Sequence, residues 1–216
     1  MEVTTAFVNY FNNLFAAILV RETLSCIQTL DCRVSGEMNS SLLKPFVAEE
    51  VCEAIHQMAP TKAPGPDGFS TGFFQKNWVI MGEEITRAVL NILNSGFMPS
   101  RLNETHITLT PKVKCPSSVT EFRPISLCNV LYNVISKILA NRLKKILPLI
   151  ISPFQSVFFS GQLIIDNVLV AYESLHTMHT RLRGHQGFIV IKLDMSKAYD
   201  RVDWGFLKAV MRKMGV

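Results

Sequence analysis

Cysteine is scarce in this chain and forms no recognisable motif. Five cysteines occur among 216 residues, and none of them stands in a C-x-x-C arrangement. An odd, scattered set argues against a disulfide framework and against a zinc knuckle. It favours a reducing, intracellular compartment, because disulfides persist mainly in oxidising ones.

Long apolar runs are also missing. The longest run near the start, 14–20, is too short to cross a bilayer, and the first residues lack the basic stretch of a secretory signal. The sequence therefore predicts no membrane partner. Hydrophobic residues still make up 48% of the chain, enough for a buried core and too many for a disordered segment.

Acidic residues become scarce after residue 60. Residues 1–60 hold three basic and seven acidic side chains, whereas residues 61–216 hold nineteen basic and ten acidic ones. A basic surface beyond residue 60 would suit a polyanion such as nucleic acid. Ordinary solvated helix faces explain the same composition equally well.

Hydrophobic spacing predicts a helix-rich α+β fold. Helices are expected at 5–24, 48–58, 82–95, 126–147, 163–181 and 203–214, with a turn or two of helix within 70–78. Residues 25–45 are expected to be a loop. Alternation predicts a hairpin with arms at 105–112 and 121–126, and a short β-branched run predicts a strand buried on both faces at 188–194.

The predicted strand 188–194 ends at a carboxylate, Asp194. A carboxylate leaving an apolar layer needs water, a donor or a cation, and at the rim of a cleft it could hold a divalent metal. An ordinary Asp turn or helix N-cap is the alternative.

Two further stretches carry charge in rigid surroundings. The segment 60–69 holds three prolines and two glycines, which exclude a helix or central strand and favour tight turns, with Lys62 as its cation. Lys112 and Arg123 fall on the two arms of the predicted hairpin. Lysine offers a point charge to phosphate and arginine a planar fork, although two solvated loop charges would look the same.

Three motifs together resemble the reverse transcriptases of plant LINE-type, non-LTR retrotransposons. They are L-D-M-S-K-A-Y-D-R-V-x-W from residue 193, K-A-P-G-P-D-G-F from residue 62 and P-K-x(10)-R-P-I-S-L from residue 111. The resemblance spans about residues 5–216. It implies part of a right-hand polymerase, with the thumb absent: a helical extension and linker at 1–60, a fingers-like region at 61–187 and the start of the palm at 188–216.

The same resemblance implies roles for individual residues. Asp194 would be the catalytic metal ligand, aided by the backbone of Met195, with Mg²⁺ as the ion and Mn²⁺ as an alternative. Residues near the triphosphate or sugar of the incoming nucleotide would be Lys112, Arg123, Ser196, Lys197, Ala198 and Tyr199. Residues near the template would be Lys62, Gly65, Asp67 and Gly68.

The implied activity is RNA-templated DNA synthesis with an RNA template, a DNA primer and dNTPs, in a nuclear or cytoplasmic setting. Two features depart from the family pattern. Phe154, Ser160 and Gln162 stand where the family commonly has a polar residue, proline and arginine, and the paired-Asp motif that completes a two-metal centre is not in the sequence. We therefore expect weak or no metal binding and no polymerase activity from this chain by itself. A non-catalytic, basic nucleic-acid-binding domain and a degenerate element product are the alternatives.

Overall fold

The computed structural model describes residues 2–16, 23–152, 155, 163–181, 189–191, 193 and 198–216. The chain divides into two compact units. Unit 1 contains residues 1–16 and 35–145, and unit 2 contains residues 17–34 and 146–216. None of the described helices is both long and apolar enough to cross a membrane.

Unit 1 is built from helices around one apolar core. Its helices are α1 (Glu2–Phe15), α3 (Gly36–Leu42), α4 (Ala48–His56), α5 (Thr71–Lys76), α6 (Trp78–Ser95), α7 (Ser100–Asn103) and α8 (Val130–Lys144). The core forms where α4, α5, α6 and α8 meet, because each presents an apolar stripe at helical spacing. Its most buried side chains are Val51, Ala54, Ile55, Val89, Val134 and Ile138.

A two-stranded antiparallel hairpin completes unit 1. Strand β1 (Thr105–Pro111) pairs with β2 (Phe122–Cys128), and a short 3₁₀ turn, Val119–Glu121, lies in the connection. The ring of Phe122 in β2 packs edge-on against the ring of Phe7 in α1, with 5.2 Å between the ring centroids. An isolated hairpin is marginally stable in water, so this packing helps to hold it.

Unit 2 consists of short helices and one long one. They are α2 (Thr23–Gln28), α9 (Leu147–Ile150), α10 (Ile164–Arg181) and α11 (Trp204–Met214), with a 3₁₀ turn at Tyr199–Arg201. The backbone amides of Arg33 and Val34 both donate to the Met214 carbonyl, at 3.1 and 2.9 Å. The end of α11 is thereby tied to the segment after α2.

Most of the predicted helices are confirmed. Helices α4, α10 and α11 occupy nearly the predicted ranges, and α6 begins one turn earlier than expected. Gly96 ends α6 with a φ of 68°, the left-handed geometry that glycine adopts without strain. The hairpin arms and the helix-rich α+β class are also confirmed.

Three element boundaries differ from expectation. The predicted loop 25–45 contains α3, which begins because the Ser35 hydroxyl accepts a hydrogen bond from the Met38 amide. The predicted helix 5–24 stops at Phe15, and α2 begins separately at Thr23. The predicted helix 126–147 is shorter, since β2 runs to Cys128, and Pro148 lies in the first turn of α9, where proline is tolerated.

The buried strand predicted at 188–194 is not found. Among its residues that the structure describes, 189–191 and 193, none is in a strand, and Ile189 and Leu193 are 87% and 85% exposed. The physical reason is that a strand needs a ladder of hydrogen bonds to a neighbour. In the described part of the chain, the only pairing is between β1 and β2.

Candidate functional site

The two predicted nucleotide-binding cations lie at the same end of the hairpin. Arg123 lies directly opposite Thr110 in the register, and Lys112 is the residue after the end of β1. Both cations are exposed. The Arg123 guanidinium has no hydrogen-bond or ion-pair partner among the described residues, so its donors face solvent.

Lys112 and the hairpin connection are ordered by local contacts. The Lys112 ammonium donates to the Thr120 carbonyl at 2.7 Å, and its backbone amide donates to the Glu121 carbonyl at 2.7 Å. The Glu121 carboxylate in turn accepts from the amides of Ser117 and Ser118. These amides, with the nearby Lys112 charge, hold the pKa of Glu121 below its usual value. These hydrogen bonds therefore hold the connection between β1 and β2 in a defined turn conformation.

The Pro-Gly loop, residues 60–70, runs against the junction of β2 and α8. Gly65 is buried there, and a Cβ at this position would lie 2.5 Å from the carbonyl carbon and oxygen of Cys128. Only glycine permits so close a backbone approach. Gly68 closes a turn by donating to the Gly65 carbonyl and has a φ of 73°.

Asp67 and Asn129 fasten this loop to α8. Asp67 accepts a hydrogen bond from the Val130 amide at 3.2 Å, so its carboxylate satisfies the first turn of α8 and meets the positive end of the helix dipole. Asn129 accepts from the Asp67 amide at 3.0 Å. The same Asn129 donates to the Arg101 and Leu102 carbonyls just before β1. This buried amide therefore joins the Pro-Gly loop, the start of the hairpin and α8.

Lys62 and Gly68, also predicted near the template, are both exposed. Lys62 donates to the Asn133 side chain of α8 at 3.4 Å. Sequence reasoning missed Asn129. Its position directly before the apolar run of α8 is a helix-start signal, but the contacts to residues 101–104 have no local signature.

Arg142 is a second residue whose role the sequence did not reveal. It is 8% exposed, and its guanidinium lies 3.8 Å from the centre of the Phe46 ring. It donates to both carboxylate oxygens of Glu50, at 2.7 Å each, and to the carbonyls of Leu42, Lys44 and Pro45. The Arg142 hydrogen bonds are the main cause of the lowered pKa of Glu50. Arg142 thus fixes the segment between α3 and α4 to α8.

The residues predicted for the metal lie outside the described residues. They are Asp194 and Met195. Of the residues predicted for the nucleotide, Ser196 and Lys197 also lie outside the described residues, whereas Ala198 and the backbone of Tyr199, which begins a 3₁₀ turn, are described. Asp203 caps α11 by accepting from the Phe206 amide at 2.7 Å. Within the described ranges, no three His, Cys, Asp or Glu side chains are grouped closely enough to hold a metal ion.

Comparison with known proteins is informative for the second half of the chain. Residues 110–216 match the family model described as reverse transcriptase (RNA-dependent DNA polymerase). The match begins within β1 and includes the hairpin cations, α8, α10 and the Asp194 motif.

Curated relatives cover more of the chain. It is 31% identical over 174 residues to a transposon TX1 uncharacterized 149 kDa protein of Xenopus laevis, covering 81% of this chain and 13% of the relative. It is 26% identical over 205 residues to a probable RNA-directed DNA polymerase from transposon BS of Drosophila melanogaster, covering 93% and 22%. A Pol polyprotein from a type-1 retrotransposable element R2 of Popillia japonica is 27% identical over 175 residues, covering 80% and 23%. The chain thus spans less than a quarter of the length of these relatives.

Proposed function

Because this chain carries sequence of the reverse transcriptase domain of non-LTR retrotransposons, we propose that it supplies the nucleotide-gripping part of an RNA-templated DNA polymerase. In the parent reaction, the 3′-hydroxyl of a DNA primer attacks the α-phosphate of a dNTP and pyrophosphate leaves. The motif pattern further favours a plant LINE-type element with an RNA template bound near the Pro-Gly loop.

The exposed pair on the hairpin is the observation that carries this proposal. Lys112 and Arg123 are exposed at the same end of the hairpin, and the Arg123 guanidinium has no hydrogen-bond or ion-pair partner among the described residues. Lys112 would neutralise charge on the triphosphate, and Arg123 would grip two phosphate oxygens at once. The ordered connection would reduce the entropy lost when the phosphates bind.

The metal proposal depends on the donor set around residue 194. The Asp194 carboxylate and the Met195 carbonyl are hard oxygen donors of the kind that Mg²⁺ accepts. When bound, Mg²⁺ would offset negative charge on the triphosphate and make the primer 3′-hydroxyl a better nucleophile. We propose that Lys112 and Arg123 bind triphosphate oxygens. For residues 196–198 we propose a role beside nucleotide phosphates, and for Tyr199 a role beneath the sugar.

A binding experiment with a fluorescent dNTP tests these roles separately. The chain is titrated by anisotropy, with Mg²⁺ and again with EDTA. We expect Lys112→Ala and Arg123→Ala to weaken binding about tenfold or more each in both conditions, because charge-assisted hydrogen bonds contribute about 1.5–3 kcal/mol. Asp194→Ala should weaken binding only with Mg²⁺ present.

Lys114→Ala is the matched control. Lys114 is an exposed lysine in the same connection, so it tests general charge attraction alone. An equal loss for Lys112→Ala and Lys114→Ala would contradict the proposed grip. In primer extension on an RNA template, we expect no incorporation by residues 1–216 alone, because Asp194 by itself cannot hold two metal ions.

A further inference from the structure

A groove of about 490 Å³ between α4 and α8 is lined mainly by charged and amide side chains. It lies within unit 1, and its described lining contains no residue of the hairpin. Three lysines line it: Lys137, Lys144 and Lys145. Asn141 and Gln57 join across it, with the Asn141 amide donating to the Gln57 carbonyl oxygen at 3.0 Å.

The acids of this groove are already engaged, whereas its lysines are not. Glu50 is held by Arg142 through both carboxylate oxygens, and Glu53 accepts from the Gln57 amide at 2.7 Å. The ammonium groups of the three lysines form no hydrogen bond or ion pair among the described residues, although the Lys145 charge helps to lower the pKa of Glu50. These ammonium groups remain available to an incoming anion.

The array of cations is longer than a nucleotide. Lys62 contacts Asn133, one helical turn before Lys137, and continues the line of lysines along α8. From Asn133 to Lys145 is twelve residues, or about 18 Å along a helix axis. A triphosphate is much shorter than this, whereas several consecutive phosphates of a polynucleotide would extend along it.

We propose that the α4–α8 groove is a binding track for the phosphate backbone of single-stranded RNA, with Lys137, Lys144 and Lys145 as its contacts and Lys62 at its open end. The inference rests on the proposed reverse transcriptase function, because it takes RNA as the polyanion. It adds a surface whose described lining contains no hairpin residue. Because the lysine ammonium groups would contact phosphates and not bases, RNA binding in the groove would be independent of base sequence.

The salt dependence of RNA binding tests the groove. The full chain is titrated with a labelled twelve-nucleotide RNA at several salt concentrations. For single strands, each phosphate contact contributes about 0.7 to the slope of log K against log salt. We expect the triple variant K137Q/K144Q/K145Q to reduce that slope by about 2 and to weaken binding at low salt at least tenfold.

A second triple variant provides the charge-matched control. K76Q/K208Q/K213Q removes three exposed lysines that lie outside the groove. It should change the slope by less than 1. Equal effects of the two triples would overturn the groove, since binding would then follow net charge. Circular dichroism of both variants checks that they fold.

Two further arms separate the remaining outcomes. If tripolyphosphate displaces the twelve-nucleotide RNA at equal phosphate concentration, the groove is a site for short polyphosphates and the RNA track is overturned. If the wild-type chain binds dNTP but not RNA, the track fails while the nucleotide grip stands. If the wild-type chain binds RNA through the groove lysines but does not bind dNTP, the RNA track stands and the proposed nucleotide site fails.

Discussion

Arg142 shows how one buried charge can organise several segments. Its five hydrogen bonds satisfy a guanidinium group that would otherwise be costly to remove from water. Three of them satisfy the carbonyls of Leu42, Lys44 and Pro45, at the end of α3 and in the segment after it. A buried ion pair is weak evidence of stability by itself. Its removal is different, because unpaired polar groups remain in the protein.

We expect Arg142→Ala to lower the free energy of unfolding by about 3–5 kcal/mol, the usual cost of breaking a buried pair from one side. Arg142→Lys should also destabilise the chain, because one ammonium cannot replace a bidentate fork and three carbonyl contacts. Urea unfolding measures both. Arg87→Lys, at an exposed pair with Glu84, is the control and should change little. A stable Arg142→Ala would show that the cluster contributes nothing.

The partner of this arginine makes stability depend on pH. Hydrogen bonds from Arg142 lower the pKa of Glu50 below its usual 4.5. A carboxyl whose folded pKa is depressed contributes stability above the unfolded pKa, and that contribution is lost as pH falls through the lower folded pKa. We expect Glu50→Gln to be destabilised at pH 7 and to lose part of the stability decrease seen below about pH 4.5. Glu49→Gln, at an exposed neighbour, should keep the wild-type pH profile.

At the scale of elements, the Pro-Gly loop and α8 depend on one close backbone approach. Gly65 leaves no room for a side chain. At the same place, the Asn129 side chain accepts a hydrogen bond from the Asp67 amide, and the Asp67 carboxylate accepts one from the Val130 amide. The loop can therefore present Lys62 at a defined position along α8. The hairpin shares this anchor, because Asn129 also holds the residues before β1.

Gly65→Ala tests this approach. A Cβ would lie 2.5–2.7 Å from backbone atoms of Cys128 and Asn129, which cannot rotate away as a side chain could. We expect a loss of about 1–3 kcal/mol in unfolding free energy. Gly36→Ala is the matched control, since a Cβ at the first position of α3 meets nothing within 4 Å and alanine favours a helix. A neutral Gly65→Ala would mean that the loop is not held this closely.

At the scale of the whole molecule, burial is uneven. The core of unit 1 contains fully buried side chains, whereas α10 in unit 2 exposes most of its apolar residues, including Val168 at 60% and Leu169 at 54%. Apolar side chains that remain in water contribute little to folding. The helix α10 was predicted correctly from its apolar spacing, but its apolar residues are not covered by other described residues.

We expect Val168→Ala and Leu169→Ala to leave the free energy of unfolding within about 0.5 kcal/mol of the original chain. Ile138→Ala, in the core of unit 1, should cost about 2–5 kcal/mol because it leaves a cavity. Urea unfolding followed by circular dichroism compares the three. A loss above about 1 kcal/mol for either α10 variant would show that this face is buried in solution.

The sequence by itself determined the helices with strong apolar periodicity, the hairpin and the likeness to reverse transcriptases. Local spacing, turn residues and an extended motif are enough for these. It also placed Lys112 and Arg123 on two arms, because a hairpin register follows from neighbouring strands.

Only the tertiary structure decided which charges are buried and which are free. Arg142 and Lys137 are both basic residues of α8, and nothing local separates them. Arg142 is buried by hydrogen-bond partners that lie 92 to 100 residues away, whereas Lys137 lines a groove. The run 188–194 depends on distant partners in the same way, and its described residues, 189–191 and 193, are not in a strand. Its β-branched residues satisfy a local preference, but a strand forms only where a second strand supplies its hydrogen bonds.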